Sequence, residues 1–246
     1  MTQSKFAASL ALAFGMASFP LMQAQAESMA TEDVEKIVHD YILEHPEIIK
    51  EAIYVLQERE ALAQAEQESQ ALSKMGEHLN QSSLDPIGGN PEGTITMVEF
   101  FDYNCGYCKR SNATVQALID ANPNLRVVYK EWPILTETSS TAARISLAVN
   151  LAAPEKYEDL HRELLNTRAL RSDDDIWKVV EGLGISRAAV EAKLDDPSIN
   201  QHLQQTMMLT QQLGITGTPA FIVGDQMLKG AYPVEQIQAA INDQSS

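Results

Sequence analysis

The spacing of apolar residues divides the chain into a helical amino-terminal part and a mixed part that follows it. Between residues 31 and 63, apolar side chains recur every three or four positions, which predicts two amphipathic helices separated by His45-Pro46. Thr31 or Asp33 is expected to cap the first helix. The second helix loses its apolar stripe between Gln64 and Ala71, where strong helix formers predict an exposed rod or a semi-rigid tether.

Continuous apolar runs, rather than helical spacing, mark the next part of the chain. Ile95 to Phe101 and Leu125 to Trp132 are short apolar segments that predict buried strands. Between them, Cys105 to about Asp120 has the apolar spacing of a helix. A strand, a helix and a second strand at this separation predict a right-handed βαβ unit.

A helical block follows, and the chain then returns to strands. No convincing strand pattern appears from Glu137 to Leu213, where helix caps and apolar stripes succeed one another. Two short runs around a Gly224-Asp225 turn, Ala220 to Val223 and Gln226 to Lys229, predict a hairpin, and Pro233 to Ile241 predicts a closing helix. The pattern therefore predicts an α/β domain interrupted by an all-helical insertion.

The first 26 residues have the pattern of a cleavable secretory signal. Lys5 precedes an apolar run from Phe6 to Met22, and Ala24-Gln25-Ala26 provides the small residues that a signal peptidase recognises. The apolar run is shorter than the roughly 20 residues that span a bilayer, which disfavours a membrane anchor. We therefore expect residues 1–26 to be removed and the mature protein to work in the periplasm.

Charge and segment length bear on the partners and on the domain division. The formal net charge of −16 disfavours nucleic acid and anionic membranes as partners. The helical arm, residues 27–80, is too short to bury both of its apolar stripes alone, which favours self-association over packing on the following domain. Residues 81–93, rich in Pro and Gly, are expected to be a linker loop. The α/β domain is then expected at 94–136 and 214–246, with the helical insertion at 137–213.

Cys105 and Cys108 are the only cysteines of the chain, and they form a C-x-x-C motif between the first predicted strand and its helix. Helical spacing puts both on one face, close enough to form a disulfide. As a structural bridge, the pair closes too short a loop to restrict the unfolded chain much. The motif is instead typical of a thioredoxin-like redox site. Cys105, activated at the helix start, is the expected attacking thiol, and Cys108 is the more buried resolving thiol.

Two further features are expected to serve the dithiol. Glu99 interrupts an apolar strand, and a buried carboxyl there would have a raised pKa and relay protons to and from Cys108. The alternative is an exposed position at the strand edge; Lys130 on the neighbouring strand is the expected charge partner. Thr218 and Pro219 precede the hairpin, and a cis bond between them would bring a loop beside the cysteines to hold an extended substrate. An ordinary trans turn proline is the alternative.

These motifs resemble the DsbA-like thiol-disulfide oxidoreductases. The resemblance rests on Phe100-Phe101-Asp102-Tyr103-Asn104-Cys105-Gly106-Tyr107-Cys108, on the helical block and on Gly217-Thr218-Pro219-Ala220. The amino-terminal helices, with Glu44-His45-Pro46-Glu47-Ile48-Ile49, are similar to those of the suppressor-of-copper-sensitivity (ScsC) proteins, in which such a segment drives oligomerisation. The resemblance implies a thioredoxin fold with a helical insertion, a homo-oligomer that is a trimer, a buried acid at Glu99 and a cis-proline at Pro219.

The resemblance also bears on the direction of the chemistry. Gly106-Tyr107 and Thr218 depart from DsbA, which has Pro-His between its cysteines and a valine before its cis-proline, and are similar to the isomerase DsbC. Without a histidine between the cysteines, the disulfide is expected to be less oxidising, nearer roughly −180 mV than about −120 mV. The interpretation is a disulfide isomerase or reductase that acts on misfolded, disulfide-containing secreted proteins and is reset by a membrane redox partner.

Other functions remain open at this point. One alternative is net oxidation of the DsbA type. Another is copper sequestration by the same two thiols, since soft thiolates bind Cu(I). No cofactor and no metal site is otherwise expected, because the histidines are scattered without ligand spacing.

Overall fold

The computed structural model describes residues 30–80 and 84–244. The predicted signal peptide, residues 1–26, lies outside the described residues, as do residues 81–83 of the predicted linker. The chain divides into two compact units, Met1–Gln57 and Glu58–Ser246.

The first unit contains helix α1 (Thr31–Glu44) and the start of helix α2 (Glu47–Asn80). The residue before α1 is Ala30, and no side chain caps the helix. The expected cap at Thr31 or Asp33 is therefore wrong. Asp33 lies instead in the first turn, where a carboxylate is favoured by the positive end of the helix dipole.

Both helices of this unit expose the apolar residues whose spacing predicted them. None of the residues of α1 is buried. The exposed large apolar side chains are Val34, Ile37, Val38, Tyr41, Leu43, Ile49, Ile53, Tyr54, Val55 and Leu56. Exposed apolar surface of this extent is typical of an interaction surface. Self-association of the arm stays a prediction, and these side chains are the surface that it would cover.

The second half of α2 belongs to the larger unit and packs on its sheet. The buried cluster there includes Leu72, Leu79, Val98, Phe100, Val128, Leu209, Leu213 and Ile222. The structure therefore divides the chain at Glu58, earlier than the predicted linker at 81–93. The exposed rod expected around Gln64 to Ala71 gives way at Leu72 to a helix face that covers the sheet.

A five-stranded sheet lies at the centre of the described part of the larger unit. Its strands are β1 (Ile87–Gly89), β2 (Ile95–Phe101), β3 (Leu125–Glu131), β4 (Ala220–Val223) and β5 (Gln226–Lys229), in the order β1-β3-β2-β4-β5. β2 is the central strand, parallel to β3 and antiparallel to β4. Helix α3 (Gly106–Ala121) connects β2 to β3, as the predicted βαβ unit requires.

Strand β1 lies inside the stretch that was predicted to be a loop. It pairs antiparallel with β3, with Ile87 opposite Val128. A Cβ added to Gly88 would lie 2.6 Å from the hydroxyl oxygen of Tyr129. The glycines that suggested a loop thus allow a short edge strand to pack closely on β3, and the loop prediction is wrong for these residues.

The chain between β3 and β4 is a series of helices, as predicted. They are α4 (Glu137–Ala152), α5 (Tyr157–Asn166), α6 (Asp173–Gly182), α7 (Arg187–Glu191) and α8 (Pro197–Gln212), with a 3-10 turn at Pro154–Lys156; α9 (Val234–Asp243) follows β5. Side-chain oxygens of Thr136, Ser186 and Asp196 cap α4, α7 and α8 by accepting hydrogen bonds from backbone N–H groups. Each of these caps lies within three residues of the N–H group that it binds.

The sheet separates two apolar clusters, because alternate residues of a strand point to opposite faces. Met97 and Phe101 of β2 pack in the same cluster as Cys108 of α3 and the helical insertion. Val98 and Phe100 face the other side, toward α2. Residue 99 therefore lies on the face that carries α3.

Candidate active site

The two cysteines lie where the central strand β2 ends and α3 begins. Cys105 is the cap residue of α3, and its sulfur accepts a hydrogen bond from the backbone N–H of Cys108 at 3.4 Å. The Cys105 N–H donates to the carbonyl oxygen of Asp102 at 3.0 Å, which closes the turn between strand and helix. Both cysteines are free thiols. The structure thus places both sulfurs at the first turn of the helix, as the motif predicted.

The surroundings of Cys105 stabilise its thiolate. The hydrogen bond from the Cys108 thiol is the largest of the effects that lower the pKa of Cys105 to about 5. The side chain of Thr218 and the backbone N–H groups of Cys108 and Tyr107 act in the same direction, while partial burial opposes them. Cys105 is therefore ionised at neutral pH, in the form that attacks disulfides.

Cys108 has the opposite character. Its side chain is fully buried, whereas Cys105 keeps 6% of its surface exposed. Burial, followed by the hydrogen bond to Cys105, raises the pKa of Cys108 far above the usual range of a thiol. The pair therefore combines one thiolate with one protonated thiol, which is the division of labour expected of an attacking and a resolving cysteine.

The loop before β4 reaches the redox sulfur. The Thr218–Pro219 peptide bond is cis, as expected from the sequence. The Cys105 sulfur lies 3.2 Å from the carbonyl oxygen of Thr218, to which its protonated form donates a hydrogen bond. The carbonyl oxygen of Pro219 accepts the N–H of Gly230, which connects this loop to the end of the hairpin. Backbone groups of the loop therefore lie beside the Cys105 sulfur.

Glu99 is buried in the middle of the sheet, so the alternative of an exposed strand edge is wrong. It lies between Tyr129 of β3 and Phe221 of β4 and is 1% exposed. Within the described residues, neither carboxylate oxygen has a hydrogen-bond partner. Burial, and then the negative charge of Cys105, raises the pKa of Glu99 to about 8. The carboxyl is thus protonated at neutral pH.

Lys130 is not the charge partner of Glu99. It lies opposite Phe100 in β2, on the face of the sheet away from Glu99. Its ammonium donates to both carboxylate oxygens of the buried Asp85 at 2.7 Å. The expected pairing is wrong because strand alternation places residues 99 and 130 on opposite faces.

Asp102, which was not predicted to serve the site, holds the loops around the dithiol. One carboxylate oxygen accepts the N–H of Asn104 at 2.7 Å and the hydroxyl of Ser139 at 2.7 Å. The other accepts the N–H groups of Ile134 and Leu135 at 2.8 and 3.1 Å. An acidic residue directly after a buried strand and before C-x-x-C was the available signal.

Asn104 makes a second connection to the helical insertion. Its side-chain amide donates to the hydroxyl oxygens of Thr136 and Thr138 and to the carbonyl oxygen of Leu170. Its side-chain oxygen accepts the N–H of Leu170 at 3.0 Å. The helical insertion therefore fixes the position of the redox turn as well as covering the sheet.

In residues 30–80 and 84–244, no group of three or more His, Cys, Asp or Glu side chains is arranged to hold a metal ion. Among the described helices, none combines the length and the apolar character needed to cross a membrane.

Two segments of the chain match known protein families. Residues 96–242, more than half of the chain, match the DSBA-like thioredoxin domain. Residues 31–63, which contain α1 and the start of α2, match the copper resistance protein ScsC N-terminal domain. The first match includes the strand, the dithiol, the helical insertion and the cis-proline loop.

Individual relatives agree with these matches. A thioredoxin-like oxidoreductase from Silicibacter pomeroyi is 39% identical, with a TM-score of 0.66 over 69% of this chain and 96% of that one. ScsC from Proteus mirabilis in a compact conformation is 30% identical, with a TM-score of 0.67 over 87% and 98%.

A longer protein also shares this domain. A curated relative, the Na(+)/H(+) antiporter NhaA 3 of Salinispora tropica, is 25% identical over 64% of this chain, which spans only 24% of that protein. The match is therefore to one part of a longer chain. Fold, site and family comparison agree that the chain belongs to the DsbA-like thioredoxin-fold thiol-disulfide oxidoreductases and carries an amino-terminal domain of the ScsC type.

Proposed function

We propose that this protein is a periplasmic disulfide isomerase or reductase that acts on protein disulfides through Cys105. Its substrates are misfolded, disulfide-containing secreted proteins, and a membrane redox partner returns the dithiol to its working state. The predicted signal sequence supports the location. The degree of thiolate stabilisation at Cys105 is the observation that carries the choice of isomerase or reductase over oxidase.

Thiolate stabilisation sets the oxidising strength of a dithiol. The pKa of Cys105, about 5, lies between those of the attacking thiols of thioredoxin, about 7, and DsbA, about 3.5. Each pKa unit corresponds to about 30 mV for a two-electron couple. The lower pKa of Cys105 relative to thioredoxin raises the expected reduction potential from roughly −270 mV to about −210 mV. Its higher pKa relative to DsbA lowers the expected potential from roughly −120 mV to about −165 mV. This interval brackets the roughly −180 mV of protein disulfide isomerase.

The proposed exchange begins with the Cys105 thiolate. It attacks one sulfur of the substrate disulfide, the Cys105–substrate bond forms, and the other substrate cysteine leaves as a thiolate. The mixed disulfide then resolves in one of two ways. A second substrate thiol displaces Cys105, which rearranges the substrate, or Cys108 displaces the substrate, which reduces it.

Glu99 is suited to accept the proton that Cys108 must lose in the second route. While Cys105 is a thiolate, its charge helps to keep Glu99 protonated. Formation of the mixed disulfide removes that charge, so the pKa of Glu99 falls toward the raised value that burial alone sustains. The carboxyl then releases its own proton to solvent more readily, and the resulting carboxylate takes the proton of Cys108.

The exposed apolar surface of α1 and the first part of α2 supports assembly as the second part of the proposal. We assign this surface to contacts between copies of the chain in a homo-oligomer, with a trimer expected from the ScsC resemblance. An assembly would hold several Cys105 sites around one substrate. Such an arrangement favours rearrangement of wrongly paired disulfides, because a released substrate thiol meets a second site nearby.

Reactivation of scrambled ribonuclease tests the proposed function. We expect the full chain to restore activity in a redox buffer, and the Cys105→Ala variant to be inactive. A Cys105→Ala variant that retained reactivation would contradict the proposal. Glu92→Gln, an exposed substitution, is the matched control.

The two alternatives give different results. A net oxidase would introduce disulfides into reduced ribonuclease faster than it rearranged scrambled ones. Copper sequestration would appear as tight Cu(I) binding without insulin reduction. The buried Cys108, with its strongly raised pKa, does not favour a site built from two thiolates.

A further inference from the structure

Tyr107 and Arg110 form an exposed stack beside the redox sulfur. Tyr107 lies between the two cysteines and is 60% exposed. The guanidinium carbon of Arg110 lies 4.2 Å from the centroid of the Tyr107 ring, which is a cation–π distance. Gly106 provides no side chain to separate this stack from Cys105. A Cβ added to Gly106 would lie 3.9 Å from Nη1 of Arg110, so the positive charge lies over the residue that follows Cys105.

Arg110 differs from the ion-paired Arg162 and Arg187 in its electrostatic surroundings. Arg162 pairs with Asp159 at 2.6 Å, and Arg187 pairs with Glu191 at 2.8 Å. In the part of the chain that the structure describes, no carboxylate lies within ion-pair distance of Arg110. The charge of Arg110 is thus not neutralised by a carboxylate among residues 30–80 and 84–244, although the chain has a formal net charge of −16.

Lys109, the neighbouring cation, is directed elsewhere. It is partly buried, and its ammonium donates to the carbonyl oxygen of Thr167 at the end of α5. Arg110, in contrast, is exposed. Ile134 and Leu135 are exposed apolar residues in the loop whose N–H groups bind Asp102, just before the redox turn. The surface near the redox turn therefore includes exposed apolar residues and the outward-facing charge of Arg110.

We propose that Arg110, held on the ring of Tyr107, gives the redox site a preference for substrate cysteines that have an acidic neighbour. The inference rests on the proposed exchange at Cys105. When the Cys105 thiolate attacks a substrate sulfur, the substrate disulfide breaks and the departing thiolate takes a proton from solvent. A carboxylate beside the attacked cysteine accepts charge-assisted hydrogen bonds from the guanidinium. Because the pairing begins during encounter, it raises the rate of attack.

Three peptide disulfides test this preference. The peptides are identical except for Glu, Gln or Lys beside the cysteine, and each is linked to 2-mercaptoethanol as a neutral leaving thiol. The full chain carries Cys108→Ser, so that the mixed disulfide with Cys105 persists. Acid quenching and mass spectrometry give the rate constant of adduct formation. We expect the Glu peptide to react about three- to fivefold faster than the Gln peptide, and the Lys peptide to react more slowly, as for a single exposed ion pair.

Arg110→Gln is expected to bring the three rates together while leaving the rate of the Gln peptide within about twofold. Arg187→Gln is the matched control, because Arg187 also lies over an aromatic ring, with its guanidinium carbon 4.5 Å from the ring centroid of Trp177. That variant is expected to retain the preference. High salt is expected to weaken it in the parent protein.

The outcomes separate this inference from the proposed function. Failure of all three peptides to react would contradict exchange at Cys105 itself. Normal reaction of the Gln peptide without a preference for Glu would overturn only the role of Arg110. A preference for Glu that persists in Arg110→Gln would also overturn only the role of Arg110. The same holds if the Lys peptide reacts faster than the Gln peptide.

Discussion

Replacing Glu99 by Gln tests whether a protonated carboxyl lies unpaired beneath the dithiol. Gln has nearly the same shape as a protonated Glu but cannot ionise. In the folded protein the pKa of Glu99 is raised to about 8, whereas an unperturbed Glu titrates near pH 4.3. The folded protein therefore holds a proton on this group that the unfolded chain releases.

The sign of the pH effect follows from this difference. Below about pH 4.3, Glu99 is protonated in both states and imposes no penalty on the wild type. Between about pH 4.3 and 8, each pH unit lowers the stability of the wild type by about 1.4 kcal/mol relative to the Gln variant. The accumulated difference is about 3.5 kcal/mol at pH 7 and becomes constant above about pH 8.

Urea denaturation of the reduced proteins between pH 4 and pH 9 measures this difference. We expect Glu99→Gln to match the wild type near pH 4 and to be more stable at pH 7. Glu92→Gln, which changes an exposed carboxylate, should show no such slope. A difference between Glu99→Gln and the wild type that did not vary with pH would refute the reasoning.

Three other predictions follow from the same structure. Alkylation of Cys105 by iodoacetamide should increase with a midpoint near pH 5, and a midpoint near that of a free thiol, about 8.5, would contradict thiolate stabilisation. Deletion of residues 27–57 should leave a folded monomer on light scattering that reduces insulin but no longer reactivates scrambled ribonuclease; an unchanged subunit number would reject assembly through the arm. Leu72→Ala should lower the free energy of unfolding by about 2–5 kcal/mol in urea denaturation, and a change below about 1 kcal/mol would contradict the packing of α2 on the sheet.

Local patterns were sufficient for the framework of the fold. The apolar run of Ile95 to Phe101 and the hairpin around Gly224-Asp225 predicted strands that the structure confirms. The cap of α7 is equally local, because Ser186 binds a backbone group three residues away. The dithiol and the cis-proline loop were likewise local motifs. These features depend on residues near one another in sequence.

Features that depend on tertiary packing were not readable in this way. Lys130 found its partner in Asp85, because the sheet face of each residue decides which charges meet. Leu72 and Leu79 recur at helical spacing in a largely polar stretch, but this spacing does not say that the sheet covers them. Asp102 binds backbone groups more than thirty residues away. No spacing rule connects such positions.

The reduction potential of the Cys105–Cys108 pair tests the central claim most directly. The full chain is equilibrated with glutathione buffers of graded composition, and the fraction of reduced dithiol is read by mass after alkylation. Thiolate stabilisation at Cys105 predicts a value between about −210 and −165 mV, in the range of disulfide isomerases. A value near −120 mV, about that of DsbA, would contradict the isomerase or reductase role and identify a net oxidase.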